Sequence, residues 1–217
     1  MRLEQLFVAI GFGLVATTAS AYTVTAGGTV VANEGLTTSV AGATVVNFNS
    51  SLSDPLGYVG GAVKNGSLAS NWASPPNDTS NFYTVGPGSG QSSPGIVTLG
   101  SLSKYFGYFG GSPDTYNSIE LFRDSTQLAT FSGASLGTAA SVNPNGNWST
   151  GAYWNIWATN ASEYFNIVKF VSSSNAFETD NHASIAAIPE PETYAMMLAG
   201  LGLMGLVARR RKNRMPV

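Results

Sequence analysis

The 217-residue chain contains no cysteine and a single histidine, and only 10% of its residues are charged. Without cysteine there is no disulfide scaffold and no thiolate metal centre, and one histidine is too few for a zinc site built from nitrogen and sulfur ligands. The scarcity of charge removes the Glu- and Lys-rich surfaces that long solvated helices use. Sequence between the ends also lacks basic clusters. From Tyr22 to Ile188 there are nine acids and four bases, so this region offers no electrostatic footprint for nucleic acid. Five of the ten basic residues lie in the last nine positions. What is abundant is Gly (25), Pro (10), Ser, Thr and Asn, a mixture that suits short strands and tight turns.

The N-terminus sets Arg2 before a mostly apolar run, Leu6 to Ala16, and then Ala19-Ser20-Ala21. A short apolar segment followed by a small-x-small exit is the pattern of a secretory signal peptide. The shallow pockets of signal peptidase take small side chains, so Ala19 and Ala21 mark the cleavage site and residues 1–21 the leader.

Three pieces follow one another at the other end: Pro189-Glu190-Pro191, an apolar run from Tyr194 to Ala208, and a basic cluster of Arg209, Arg210, Arg211 and Lys212. The prolines keep the first piece extended. As a helix the second spans roughly 22 Å, short of a ~30 Å hydrocarbon core. Tyr194 can anchor one interface while the arginines snorkel into the other. The positive-inside rule keeps the cluster cytoplasmic and puts residues 22–193 outside, the same segment the leader exports.

The stretch from Ile188 to Lys212 resembles the PEP-CTERM sorting signal of Gram-negative bacteria. That resemblance implies processing by an exosortase, a membrane-embedded protease-transpeptidase that reads Pro189, Glu190 and Pro191, with Arg209–Lys212 stopping transfer. It further implies a protein held transiently in the inner membrane and then delivered to the cell surface or an extracellular polysaccharide matrix. An ordinary C-terminal anchor does not account for Pro-Glu-Pro standing ahead of an undersized helix. The expected organisation is thus a leader (1–21), an ectodomain (22–187) and a sorting signal (188–217).

Within the ectodomain, β-prone runs alternate with turn residues: Thr44–Phe48, Asn81–Val85, Gly95–Leu99, Tyr153–Trp157, Tyr164–Val171 and Ala176–Asp180. Tyr116–Phe122 and Gln127–Phe131 flank a polar turn and read as a hairpin. No helical spacing persists between Tyr22 and Ile188. The expected fold is all-β, an antiparallel sandwich of jelly-roll type. Tyr105–Phe122 and Asn175–Asn181 resemble core stretches of one group of such surface proteins, which implies a carbohydrate-binding-like β-sandwich. Thr179, where an apolar residue is usual, and a loose segment from Ser50 to Ser80 depart from that pattern.

Candidate chemistry is sparse, and the chain reads as non-enzymatic. Gly133-Ala-Ser-Leu-Gly137 fits the G-x-S-x-G pattern of a hydrolase, which needs a strand before it, a helix after it and a histidine partner. His182 is the one histidine, and no amphipathic helix follows Gly137, so a Gly/Ser loop is expected. Glycoside hydrolysis needs two carboxylates ~5–9.5 Å apart, a distance sequence does not supply. Calcium takes oxygen ligands, and Asp114 and Asp180 are candidates alongside Asp78 and Glu178. No other cofactor is implied. Trp148, Tyr153, Trp154 and Trp157 form an aromatic cluster. Strand alternation puts Tyr153, Asn155 and Trp157 on one face and Trp154 and Ile156 on the other. One face must be core, and the other can offer a ring beside an amide to a sugar. Tyr153, Trp154 and Trp157 are therefore the candidate residues for extracellular polysaccharide, which makes a carbohydrate-binding module the main rival reading and a secreted hydrolase the lesser one.

Overall fold

Strand formation follows the β-branched and aromatic runs. A computed structural model describes residues 22–50, 57–147, 149–187, 197–205 and 209. Its strands are β1 (Tyr22–Ala26), β2 (Thr29–Val31), β3 (Gly35–Thr37), β4 (Thr44–Val46), β5 (Tyr58–Val59), β6 (Ala62–Asn65), β7 (Asn81–Val85), β8 (Gly95–Gly110), β9 (Asn117–Arg123), β10 (Thr126–Ser132), β11 (Ala152–Ala158), β12 (Phe165–Ser172) and β13 (Phe177–Ala186). All of their pairings are antiparallel, as an all-β chain rich in tight turns demands.

Eleven strands join in one sheet, and β2 and β3 form a separate hairpin. The large sheet folds over because β8 changes partners along its 16 residues. Its first half, Gly95–Thr98, pairs with β12, while Ile96 and Val97 also meet β5. Its second half, Tyr105–Gly110, lies between β11 and β13. The ladder slips between these halves, opposite Phe165–Ile167 of β12. A strand that passes from one leaf to another at such an irregularity makes a corner in the sheet. One leaf is therefore β10-β9-β12 with the start of β8. The other is β1-β11, the end of β8, then β13-β7-β6.

The leaves enclose the main core. Phe170 of β12 packs against Tyr83, Phe106, Tyr108 and Phe177 of the opposite leaf, at ring separations of 6.2, 6.0, 5.5 and 5.5 Å. The second leaf is covered on its outer face too. There Tyr105, Phe109, Tyr153 and Ala183 are buried beneath Leu36, Val40 and Ala43. Both faces of β8 are thus apolar, which explains the Tyr-Phe-Gly-Tyr-Phe-Gly run. Gly107 is required within it, since a Cβ there would lie 2.2 Å from the Tyr105 hydroxyl and 2.7 Å from the Tyr153 ring.

Two sequence expectations change. The segment from Ser50 to Ser80 is not wholly loose, because it supplies β5 and β6. The Gly133–Gly137 stretch is not a loop but part of a helix, α1 (Gly133–Ala140). Two glycines make it a weak helix on propensity, so tertiary contacts hold it. Ser132 caps it by accepting the Ser135 N–H, Leu136 is fully buried, and the Leu136 carbonyl accepts the Trp154 indole N–H at 2.9 Å. Gly133 is seated against the 113–114 backbone so closely that a Cβ would come within 1.9 Å of the Asp114 carbonyl oxygen.

Candidate functional site

The aromatic cluster of β11 is interior. The alternation holds, with Trp154 and Ile156 facing the main core and Tyr153 facing the outer one, but neither face is open. Tyr153 and Trp154 have no exposed surface, which corrects the expectation that they offer rings to a sugar. The Tyr153 hydroxyl donates to the Asn181 carbonyl at 2.9 Å. Asn155 is buried as well. It accepts the Tyr105 hydroxyl at 2.8 Å and donates to the Gly27 carbonyl at 2.8 Å. Trp157 is half-buried, with its ring 4.5 Å from that of Tyr105. The hairpin β2–β3 and the loop after it close this face, a tertiary contact that strand alternation does not reveal. Trp148 lies outside the described residues.

His182 and Ser135 do not form a catalytic pair. His182 is buried, its Nδ1 bonds the Tyr58 hydroxyl at 2.8 Å, and its Nε2 bonds Thr179 Oγ1 at 2.8 Å. Burial holds it neutral by pushing its pKa down to about 3. This also explains Thr179: a hydroxyl is needed there to satisfy the imidazole. Ser135 Oγ instead donates to the Ser132 carbonyl at 2.8 Å, as expected at a helix start.

The calcium candidates serve separate structural ends. Asp180 sits at a bulge of β13, next to Asn181, whose φ is +49°. It accepts the Asn181 N–H at 2.7 Å and lies with Asp78 around the Ser80 hydroxyl. Burial, and then the charge of Asp78, push Asp180 up to about 9. Asp78 is raised too, chiefly by burial. Each of these carboxyls thus favours its protonated form. Asp114 is used by its own loop, as described below. Among the described residues no group of three His, Cys, Asp or Glu side chains is placed to hold a metal ion.

A further concavity lies elsewhere, at one end of the sheet. It has a volume of about 550 Å³ and is walled by the loop 67–75, by the 111–116 turn with Gly146, and by 175–178 at the start of β13. Leu68 and Trp72 pinch the first wall into a turn through paired backbone bonds of 2.9 and 3.1 Å, with Ser70 left-handed at φ +63°. The Trp72 indole donates to the Gly66 carbonyl at 3.1 Å, and Lys64 Nζ sits 4.7 Å from the ring centre. Asp114 knots the second wall. It accepts the Ser112 hydroxyl at 2.8 Å, the Tyr116 hydroxyl at 2.7 Å and the Gly146 N–H. Asn175 ties the third wall to the first by donating to the Ser70 carbonyl at 3.0 Å, and Gln91 bridges Asn71 and Asn175 from behind.

Glu178 is the cleft acid whose protonation burial changes. One carboxylate oxygen accepts the Ala73 N–H at 2.8 Å. Burial pushes its pKa up to about 7 against that bond, and Asp114 adds to the rise. Tyr116 is kept protonated by burial and by its bond to Asp114. Sequence reasoning considered Glu178 only as a calcium ligand and missed Trp72 altogether. The signal was a lone tryptophan in a Ser/Asn/Ala loop, where no strand or helix pattern can bury it.

The predicted leader with Ala19 and Ala21 lies outside the described residues, as do Pro189–Pro191, Arg210, Arg211 and Lys212. Residues 197–205 and Arg209 are helical and exposed. Among the described residues no helix is long and apolar enough to cross a membrane. The last strand ends at Ala186, and residues 187–212 match the family model of the PEP-CTERM protein-sorting motif. No curated protein and no solved structure is significantly similar to the chain. The match over residues 187–212 supports a PEP-CTERM domain-containing protein, and the motif implies export, membrane anchoring before processing, and targeting to an exosortase, a membrane transpeptidase.

Proposed function

We propose that this is a non-enzymatic surface or extracellular-matrix protein of a Gram-negative bacterium. In this reading signal peptidase cuts after Ala21, and residues 194–208 hold the chain in the inner membrane with Arg209–Lys212 in the cytoplasm. The exosortase then acts at Pro189-Glu190-Pro191 and delivers the 22–187 ectodomain to the envelope or to exopolysaccharide. The observation that carries the reading is adjacency: the sorting motif begins one residue after β13 ends. The whole antiparallel unit is thereby presented as cargo. The interior placement of His182 and the internal bond of Ser135 support a role without hydrolysis.

Deleting residues 188–217 in the native cell tests this. The intact protein is expected in the surface and matrix fractions, and the deleted form free in the periplasm. An unchanged distribution overturns the proposal. A second reading, a carbohydrate-binding module on the same scaffold, is favoured by the cleft that Trp72 lines.

A further inference from the structure

Three features of the cleft bear on what it takes. First, Trp72 is held before any ligand arrives. Its indole nitrogen is tied to Gly66, and an ammonium group covers one side of the ring. Trp72 lines the cleft, whereas Lys64 does not. A fixed aromatic ring costs little further order on binding. Second, the rest of the lining is mostly amide, hydroxyl and carboxyl side chains, among them Asn71, Ser112, Tyr116 and Asn175, each of which spends a donor within the walls and so meets a ligand chiefly through its oxygen. That combination of a flat apolar ring with convergent hydrogen-bonding groups matches a molecule with apolar C–H faces and a rim of hydroxyls. Third, among the described residues the acidic and basic side chains lining the cavity are Asp114 and Glu178, and Lys64, over the Trp72 ring, is outside the lining. An anionic ligand would bring like charge against these carboxyl groups.

We infer that this cleft, and not the β11 aromatic cluster, is a binding site for a neutral saccharide, with Trp72 as the stacking platform and Glu178 and Asn71 as partners for sugar hydroxyls. The inference rests on the carbohydrate-binding reading above and gives it a location and a ligand class. The volume, about 550 Å³, falls within the ordinary range of small-ligand sites, roughly 300–1,000 Å³. The acidic lining disfavours uronate-rich polysaccharides and leaves uncharged glucans and mannans as the fitting class.

The experiment is affinity electrophoresis of the mature, cell-derived protein through gels containing soluble β-glucan, galactomannan or alginate. Retardation is expected in at least one of the two neutral gels and not in alginate. Trp72→Ala should weaken that retardation about tenfold, the equivalent of ~1.4 kcal/mol. Trp157→Ala should leave it within about twofold. Glu178→Gln, which preserves the shape of the side chain, should also weaken it, and circular dichroism confirms that each variant retains its β signal. If Trp157→Ala abolishes retardation while Trp72→Ala and Glu178→Gln do not, the protein binds carbohydrate but the location is wrong. Retardation only in alginate refutes the ligand class. Passage through all three gels unretarded overturns both this inference and the carbohydrate-binding reading.

Discussion

Strand β11 and the loop 67–75 both bring tryptophan together with asparagine, yet one buries the pair and the other lines a cavity with it. In β11 the polar atoms are already spent. Asn155 bonds Tyr105 and Gly27, Tyr153 bonds Asn181, and Trp154 bonds Leu136. In the 67–75 loop the bonds run sideways, to Gly66, to Glu178 and between Ser74 and Ser67, and they brace a wall rather than fill a core. Rings on a central strand are claimed by both leaves of a folded sheet. A ring in a connection between strands is positioned by its own loop and keeps a surface for something else.

The largest effect expected from that contrast is on stability. Trp154→Ala removes a fully buried ring stacked 5.3 Å from Tyr108 and abandons the bond that holds α1. It should cost roughly 3–5 kcal/mol in chemical denaturation. A loss below about 1 kcal/mol would mean that β11 is not the interior strand described.

A smaller effect separates the interior acid from the cleft acid. Asp180 binds its proton up to about pH 9 when folded, far above the ordinary aspartate value of 3.8, so the unfolded chain releases that proton first. Stability therefore falls as pH rises between those values. His182 acts in the opposite sense, since its folded pKa is about 3 against 6.5, but its contribution is complete by neutrality. Glu178 is finished near pH 7. Between pH 7 and 9 the Asp180–Asp78 pair is left, and the melting temperature should decline. Asp180→Asn should flatten that decline, which for one proton amounts to at most about 1.4 kcal/mol per pH unit. An unchanged slope would show that the pair is not buried and coupled as described.

The smallest effect is on the loop. Trp72→Ala should shift the denaturation midpoint by no more than about 0.5 kcal/mol, because the ring is part-exposed and braces no core. A cost comparable to that of Trp154→Ala would erase the distinction between the two aromatic sites.

Local pattern was enough to place strands such as Asn81–Val85, which is β7 as expected, and the hairpin whose ends pair at Arg123 and Thr126. It stopped β8 at Leu99, because Gly100-Ser-Leu-Ser breaks the alternation. The chain nevertheless continues to Gly110 while crossing between leaves. Helix α1 was invisible for a related reason: it is made by Ser132, the Leu136 anchor and the seat beneath Gly133 rather than by its own propensities. Of the cleft, the acids were noticed as calcium candidates and two walls only as parts of core-like stretches, since its walls come from segments about 40 and 60 residues apart along the chain. The sorting motif was legible in full, because its order of prolines, apolar run and arginines is a linear message that another protein reads.

That message is the central claim, and the intact mass of the protein recovered from cells tests it most directly. The account predicts a chain beginning at Tyr22 and ending near Pro189–Pro191, without the apolar run from Tyr194. A mature protein that still carries Tyr194–Val217 would contradict exosortase processing, and one that retains Met1 would contradict export through a cleaved leader.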